Sequence, residues 1–200
     1  MPKTTFAGHA LHPQLVVLPA GLLPFSAALD AMNLMTGEKS YADAAYYTMV
    51  GGLVGGLAAG AAGAVDYLAI PPESETKRTG NLHALLNVGA LGLVGLNLLL
   101  RRGKNKRTVG AIPALLSLAA AGGVIASSWY GGKMSYEQGM RVRGVSEVEN
   151  APELKLPGDE HIEQAFERLE QAIAPIGGPA TKDARQAATV NSAAIVTVAR

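Results

Sequence analysis

The sequence predicts an all-α, polytopic membrane protein: a four-helix transmembrane bundle followed by a polar C-terminal tail with one amphipathic helix. Four apolar stretches, Leu11–Met35, Ala44–Ile70, Leu82–Leu100 and Val109–Tyr130, fill most of the first 132 residues. Each approaches the roughly 20 residues that a helix rising about 1.5 Å per residue needs to cross a hydrocarbon core of about 30 Å. Charged residues make up only 16% of the chain and hydrophobic ones 48%, against roughly 25% charged in ordinary soluble domains. Lipid supplies no hydrogen-bond partners, so spans of this kind must be helical.

The first stretch has Lys3 ahead of it and small residues at Ser26-Ala27-Ala28, features shared with a cleavable signal peptide. Its apolar character continues past Asp30 to Met35, and Pro19 and Pro24 lie within it, which fits a retained, kinked span better. Ser40 followed by Asp43 reads as the capped start of the second helix, and Pro71-Pro72 as its end. Within that helix Gly52, Gly56 and Gly60 recur every four residues and share a face, a groove for close approach of another backbone. The groove suits packing inside the bundle, or alternatively a homodimer seam, with Gly89, Gly92 and Gly95 of helix three as a complementary surface. Residues 71–80 read as a loop closed by Gly80-Asn81, and 101–108 as a basic connection to helix four.

After Gly131-Gly132 the chain turns polar. The expected organisation is a transmembrane domain over 1–143 and a tail over 144–200, with a helix at about 159–174. Ile162, Phe166, Leu169 and Ile173 form one stripe of that helix, opposite Glu160, Glu163, Glu167 and Glu170. The acidic face argues against adsorption to anionic lipid and for docking onto protein. No cysteine is present, which excludes disulfides, thiolate metal sites and cysteine-ligated iron–sulfur clusters. A net charge of +1, without a basic surface interleaved with aromatics, excludes a nucleic-acid reading.

Four spans decide which residues share a membrane face. His12 opens helix one, Asp66 closes helix two and His83 opens helix three, with His9 nearby. Ionisable residues at membrane depth are costly and carry a functional hypothesis by default. Two neutral imidazoles suit a b-type haem, or with Asp66 a divalent cation; Asp66 with a histidine also suits a proton relay. The structural alternative is capping and pairing near the headgroups, with Asp66 against Lys77, Arg78 or a histidine. At the opposite face Asp30 is expected to pair with Lys39 or the basic connection, and Asn87 and Asn97 to bond between helices.

In order, His12-Pro13, Leu15-Val16-Val17-Leu18-Pro19, Asp30, Asp66-Tyr67-Leu68-Ala69-Ile70-Pro71, His83-Ala84-Leu85-Leu86-Asn87, Asn97, Arg101 and Gly131-Gly132-Lys133-Met134-Ser135-Tyr136 with Gly139 form a pattern. It resembles the bacterial membrane family known as domain of unknown function 2231, over roughly residues 9–143. The resemblance implies a four-span domain of the bacterial inner membrane, fused to redox modules in other proteins, and it implies no reaction. Two departures stand out: Tyr67 where tryptophan is frequent, and Gln138 before Gly139 where histidine is frequent. The tail carries no Rieske-type ligand set.

The reading is a four-span membrane protein of unassigned molecular activity, leaning away from an enzyme, with a histidine–carboxylate cluster at one face. Its specific form is membrane electron transfer through a haem held by His12 and His83, with Asp66 orienting one imidazole. The same three side chains would serve a divalent metal instead. The alternative is a scaffold whose tail helix recruits a protein partner. A transporter lacks support, because neither interrupted helix pairs nor internal repeats are visible.

Short loops rich in Lys and Arg stay cytoplasmic. Arg101, Arg102, Lys104, Lys106 and Arg107 crowd one connection, so both termini are expected outside the cytoplasm. A reporter fused after Gly103 should behave as cytoplasmic and one after Arg143 as exported. The reverse pattern would invert the orientation.

Overall fold

The computed structural model describes residues 3–103, 110–142 and 152–173. Four helices, α1 (Leu11–Thr36), α2 (Lys39–Ala69), α3 (Glu75–Leu100) and α4 (Ala111–Tyr136), are each long and apolar enough to cross a membrane. Helix α1 runs unbroken through Pro19 and Pro24 and stops at Gly37, whose left-handed backbone (φ 72°) lets its N–H reach Asn33 O.

Three boundaries differ from the sequence reading. Helix α2 starts at Lys39 after Glu38, without a side-chain cap, so Ser40 and Asp43 lie inside its first turns. Helix α3 starts well before Gly80-Asn81: Ser74 Oγ accepts from Lys77 N at 3.0 Å and caps a polar turn that hydropathy alone had assigned to a loop. Helix α4 continues through Gly131-Gly132 to Tyr136.

A small sheet, not foreseen from the sequence, accompanies the bundle. Strand β1 (Lys3–Phe6) pairs antiparallel with β2 (His9–Ala10) and parallel with β3 (Glu153–Lys155), in the order β2-β1-β3. Gln14 Nε2 donates to Phe6 O at 2.9 Å and ties this sheet to the start of α1.

Contacts divide the chain into Met1–Lys155 and Leu156–Arg200, so β3 belongs with the bundle. The second unit contains α5 (Asp159–Ile173), whose Ile162, Phe166 and Leu169 are exposed. The side chains of Glu170 and Ile173 lie outside those described.

Most apolar side chains of the four long helices face outward, as lipid permits, and the buried interior is built of small and polar groups. Leu23, Met49, Ala90, Val94, Ala120 and Val124 form its apolar centre. The α2 glycines serve packing within the bundle: Gly52 receives Leu23, Gly55 receives Leu18, and a β-carbon on Gly56 would stand 2.6 Å from Leu91 Cδ2. Gly89, Gly92 and Gly95 have nothing within 4 Å, so they do not complement that groove within the chain.

One polar network joins all four helices at the end away from the small sheet. Arg101 and Asp30, 0% and 1% exposed, pair with Arg101 Nη1 at 2.9 and 3.0 Å from the two carboxylate oxygens. Arg101 Nη2 donates to Ala42 O at 3.0 Å, bringing in α2. Ser117 Oγ, on α4, donates to Asp30, and Asn97 Nδ2 donates to Ser117 Oγ at 2.7 Å and Pro113 O at 2.8 Å. Asn97 thus bonds between helices as expected, whereas both of Asn87's hydrogen bonds return to His83 on its own helix. Lys39 is not in this network; the cation comes from the first residue after α3.

Removing one partner of a fully buried ion pair strands the other charge, which costs about 3–5 kcal/mol. Asp30→Ala and Arg101→Ala should each lower the thermal midpoint in detergent markedly. The double replacement Asp30→Leu/Arg101→Met should recover most of the loss, because a matched apolar pair leaves no charge behind. Midpoints unchanged in the single variants would remove the network from its stabilising role.

Candidate functional site

At the other end of the bundle, His12 and His83 meet across the interior. Their ring centroids are 6.1 Å apart and their planes are nearly perpendicular, at 86°. His12 sits at the second position of α1, and the preceding strands bring it under the small sheet. Because α3 begins at Glu75, His83 lies two turns inside that helix instead of opening it.

The two imidazoles are held in the same manner. His12 Nδ1–H donates to Ala59 O of α2 at 2.8 Å, and His83 Nδ1–H donates to Ser127 O of α4 at 2.9 Å. Four residues beyond each carbonyl stands a glycine that the ring abuts. A β-carbon on Gly63 would lie 2.8 Å from His12 Nδ1, and one on Gly131 would lie 3.2 Å from His83 Cε1. Each imidazole therefore rests on the bare backbone of the neighbouring helix, with a proton on Nδ1 and a lone pair on Nε2. Asn87 Nδ2 donates to His83 Nε2 at 3.1 Å. Among the described residues no hydrogen bond reaches His12 Nε2.

A cavity of about 320 Å³, within the range of small-molecule sites, borders both rings and runs from Pro19, Gly56 and Leu91 in the bundle interior to Met140 and Arg141. All four helices line it; Gly60 and Gly63 of α2 face Ala84 and Asn87 of α3 across it. Helices α2 and α3 are the least closely apposed neighbours in the bundle, and their small residues leave this space.

Asp66 does not take the role expected for it. Its Oδ1 accepts from Thr4 N at 2.8 Å and Thr4 Oγ1 at 3.2 Å, and its Oδ2 lies 3.9 Å from Arg141 Nε. No hydrogen bond joins it to either histidine among the described residues. The imidazoles are oriented by backbone carbonyls instead, because helix packing through Gly63 and Gly131 brings those oxygens within reach. Lys77, an expected partner of Asp66, donates to Tyr67 O at 2.8 Å and lies 3.4 Å above the Tyr67 ring. No group of three or more His, Asp or Glu side chains that could hold a metal ion is gathered among the described residues.

Thr4 and Arg141 were missed as members of this site. Arg141 lies beyond the last span, in a left-handed backbone conformation (φ 62°), and its Nη2 donates to Thr4 O at 2.9 Å. Neither position carries a sequence signal, since long-range folding of the flanking segments brings both here. Gly63 and Gly131 were visible in the sequence, but only as packing residues.

Residues 8–144 match the family described as a predicted membrane protein (DUF2231). No curated protein and no solved structure matches the chain.

The glycine seats make a direct prediction. Gly63→Ala should push His12 off Ala59 O, since its β-carbon would overlap the ring. Gly60→Ala, with nothing within 4 Å, should not. Diethyl pyrocarbonate labelling followed by mass spectrometry should detect faster modification of His12 in the first variant alone. Equal labelling in both would show that the glycine seat is unnecessary.

Proposed function

The chain belongs to the DUF2231 family of predicted membrane proteins, and we propose that its multi-pass bundle holds one b-type haem between His12 and His83 for membrane electron transfer. The observation that carries this reading is the paired seating of the two imidazoles beside a shared cavity, each with Nδ1 tied to a carbonyl, with Nε2 open on His12 and covered on His83 by the Asn87 amide alone. Metal-ligating histidines usually donate their other N–H to such an acceptor, which fixes the tautomer and raises ligand basicity.

The ring separation supports the same reading. Metal–nitrogen bonds run about 2.0–2.1 Å, so two imidazoles that would hold one metal between them must stand close together. The observed separation is 6.1 Å. A divalent cation is less well served: two imidazoles leave most of its coordination sphere to further protein ligands. A haem would bring most of its own ligands and would ask the protein only for the imidazoles of His12 and His83. When bound, the haem supplies reversible one-electron chemistry. The protein would contribute the imidazoles of His12 and His83, the low-polarity walls and the helix packing that seats both rings.

The dense basic connection after α3 argues for a cytoplasmic position of that end, and so for a histidine site near the outer face of the bacterial inner membrane. A redox partner would then exchange electrons from that side. The scaffold reading retains one observation in its favour, the exposed apolar stripe Ile162, Phe166 and Leu169 of α5.

Purified, haem-supplied protein should show the absorption bands of a six-coordinate low-spin b-type centre at one haem per chain. His12→Ala and His83→Ala, each inserted normally, should lose the low-spin bands and most of the haem. Wild-type protein without haem after reconstitution would remove the electron-transfer reading and leave the scaffold.

A further inference from the structure

We infer that Arg141 is a carboxylate subsite of the same cavity and receives the propionate edge of the porphyrin; this rests on the haem reading above. Among the described residues that line the cavity, Arg141 is the sole Lys or Arg and Asp66 the sole Asp or Glu. Both are deeply buried, with side chains 9% and 7% exposed. Lys133, on the last turn of α4, is 30% exposed and pairs with Glu75 at 3.8 Å, outside the cavity lining.

The guanidinium is fixed on two sides by the strand that closes this end of the bundle. Arg141 Nη2 donates to Thr4 O at 2.9 Å, and Arg141 Nε stands 3.9 Å from Asp66 Oδ2, while Thr4 N and Oγ1 hold the other oxygen of that carboxylate. The backbone at Arg141 has φ 62°, a region that residues other than glycine seldom occupy. The chain thus turns back sharply after α4 and delivers a long cation into the bundle end. An arginine fork carries five N–H donors in a plane and bridges two carboxylates where a lysine serves one as a point charge.

The chemistry of the ligand calls for such a group. A haem carries two propionates on one edge, and a carboxylate leaving water demands a charged, hydrogen-bonded partner. A haem held by His12 and His83 would find a charged partner for that edge where Arg141 and Asp66 stand, and none in the apolar bundle centre. Asp66 alone would repel a propionate; Arg141 between them reverses the sign.

The test compares haem with haem dimethyl ester, whose propionates are neutral, by spectroscopic titration of the full chain in nanodiscs of zwitterionic phosphatidylcholine. Wild-type protein should bind haem roughly 10–100-fold more tightly than the ester, the range expected for hydrogen bonds to a charged group. Arg141→Gln should abolish that preference, bringing haem affinity down to that of the ester, and Arg141→Lys should retain part of it. Equal affinity of the wild type for both compounds would overturn the subsite, as would an Arg141→Gln variant that weakens both alike. The wild-type comparison needs no substitution, so it decides the matter even if a variant fails to insert. Binding of neither compound by the wild type would instead overturn the haem reading, and this inference with it.

Discussion

Lipid tails are as apolar as leucine, so a helix bundle in a membrane gains little from burying hydrocarbon and must be held by close packing and polar contacts. In this chain the decisive contact is the ion pair between Arg101 and Asp30, which draws in Ala42 O, Ser117 and Asn97 and so touches every spanning helix. Such a pair gives direction as well as attraction: Nη1 held by both carboxylate oxygens and Nη2 held by Ala42 O fix how the helices rotate about their axes. Glycines on α2 then let Leu18, Leu23 and Leu91 approach. With that end fixed, the opposite end can tolerate a cavity.

Much of this was readable beforehand, because a bilayer restricts the choices. Four apolar runs of the right length leave no alternative to four helices, and Asp30 inside one of them had to find a cation. The misreadings share a cause. The start of α3 is polar, so hydropathy placed it in a loop, although Ser74 is a good cap and Glu75 suits a first turn. Strands β1 and β3 are three or four residues long and lie about 150 residues apart, beyond any local pattern. Asp66 was cast as the partner of a histidine because carboxylates often fill that place. Here the place is filled by main-chain oxygens, which every residue possesses and no sequence advertises. The nearest thing to a signature is a glycine four residues after the accepting carbonyl, and many helices have one for other reasons.

The structure also uncovers a relationship that side-by-side reading of the spans did not. Asp30 and Arg101 are 71 residues apart, and His12 and His83 have the same separation. Hairpin α1–α2 and hairpin α3–α4 place a histidine at the same height, seat it on the following helix, and put an ionisable residue at the far end. The two hairpins run in the same direction, so each end of the bundle receives one member of each pair. One half contributes the anion and the other the cation, which makes their union a match between unlike partners built on like frames.

That likeness makes one difference stand out. The residue one turn after His83 is Asn87, whose amide covers the free nitrogen of the ring; the residue one turn after His12 is Val16, which has nothing to offer it. Any electrophile entering the cavity meets an open donor on one wall and a guarded donor on the other. Approach to His83 must first turn an amide aside, whereas approach to His12 disturbs no bond. Two similar glycine seats thus house two unequal hands, one open and one covered.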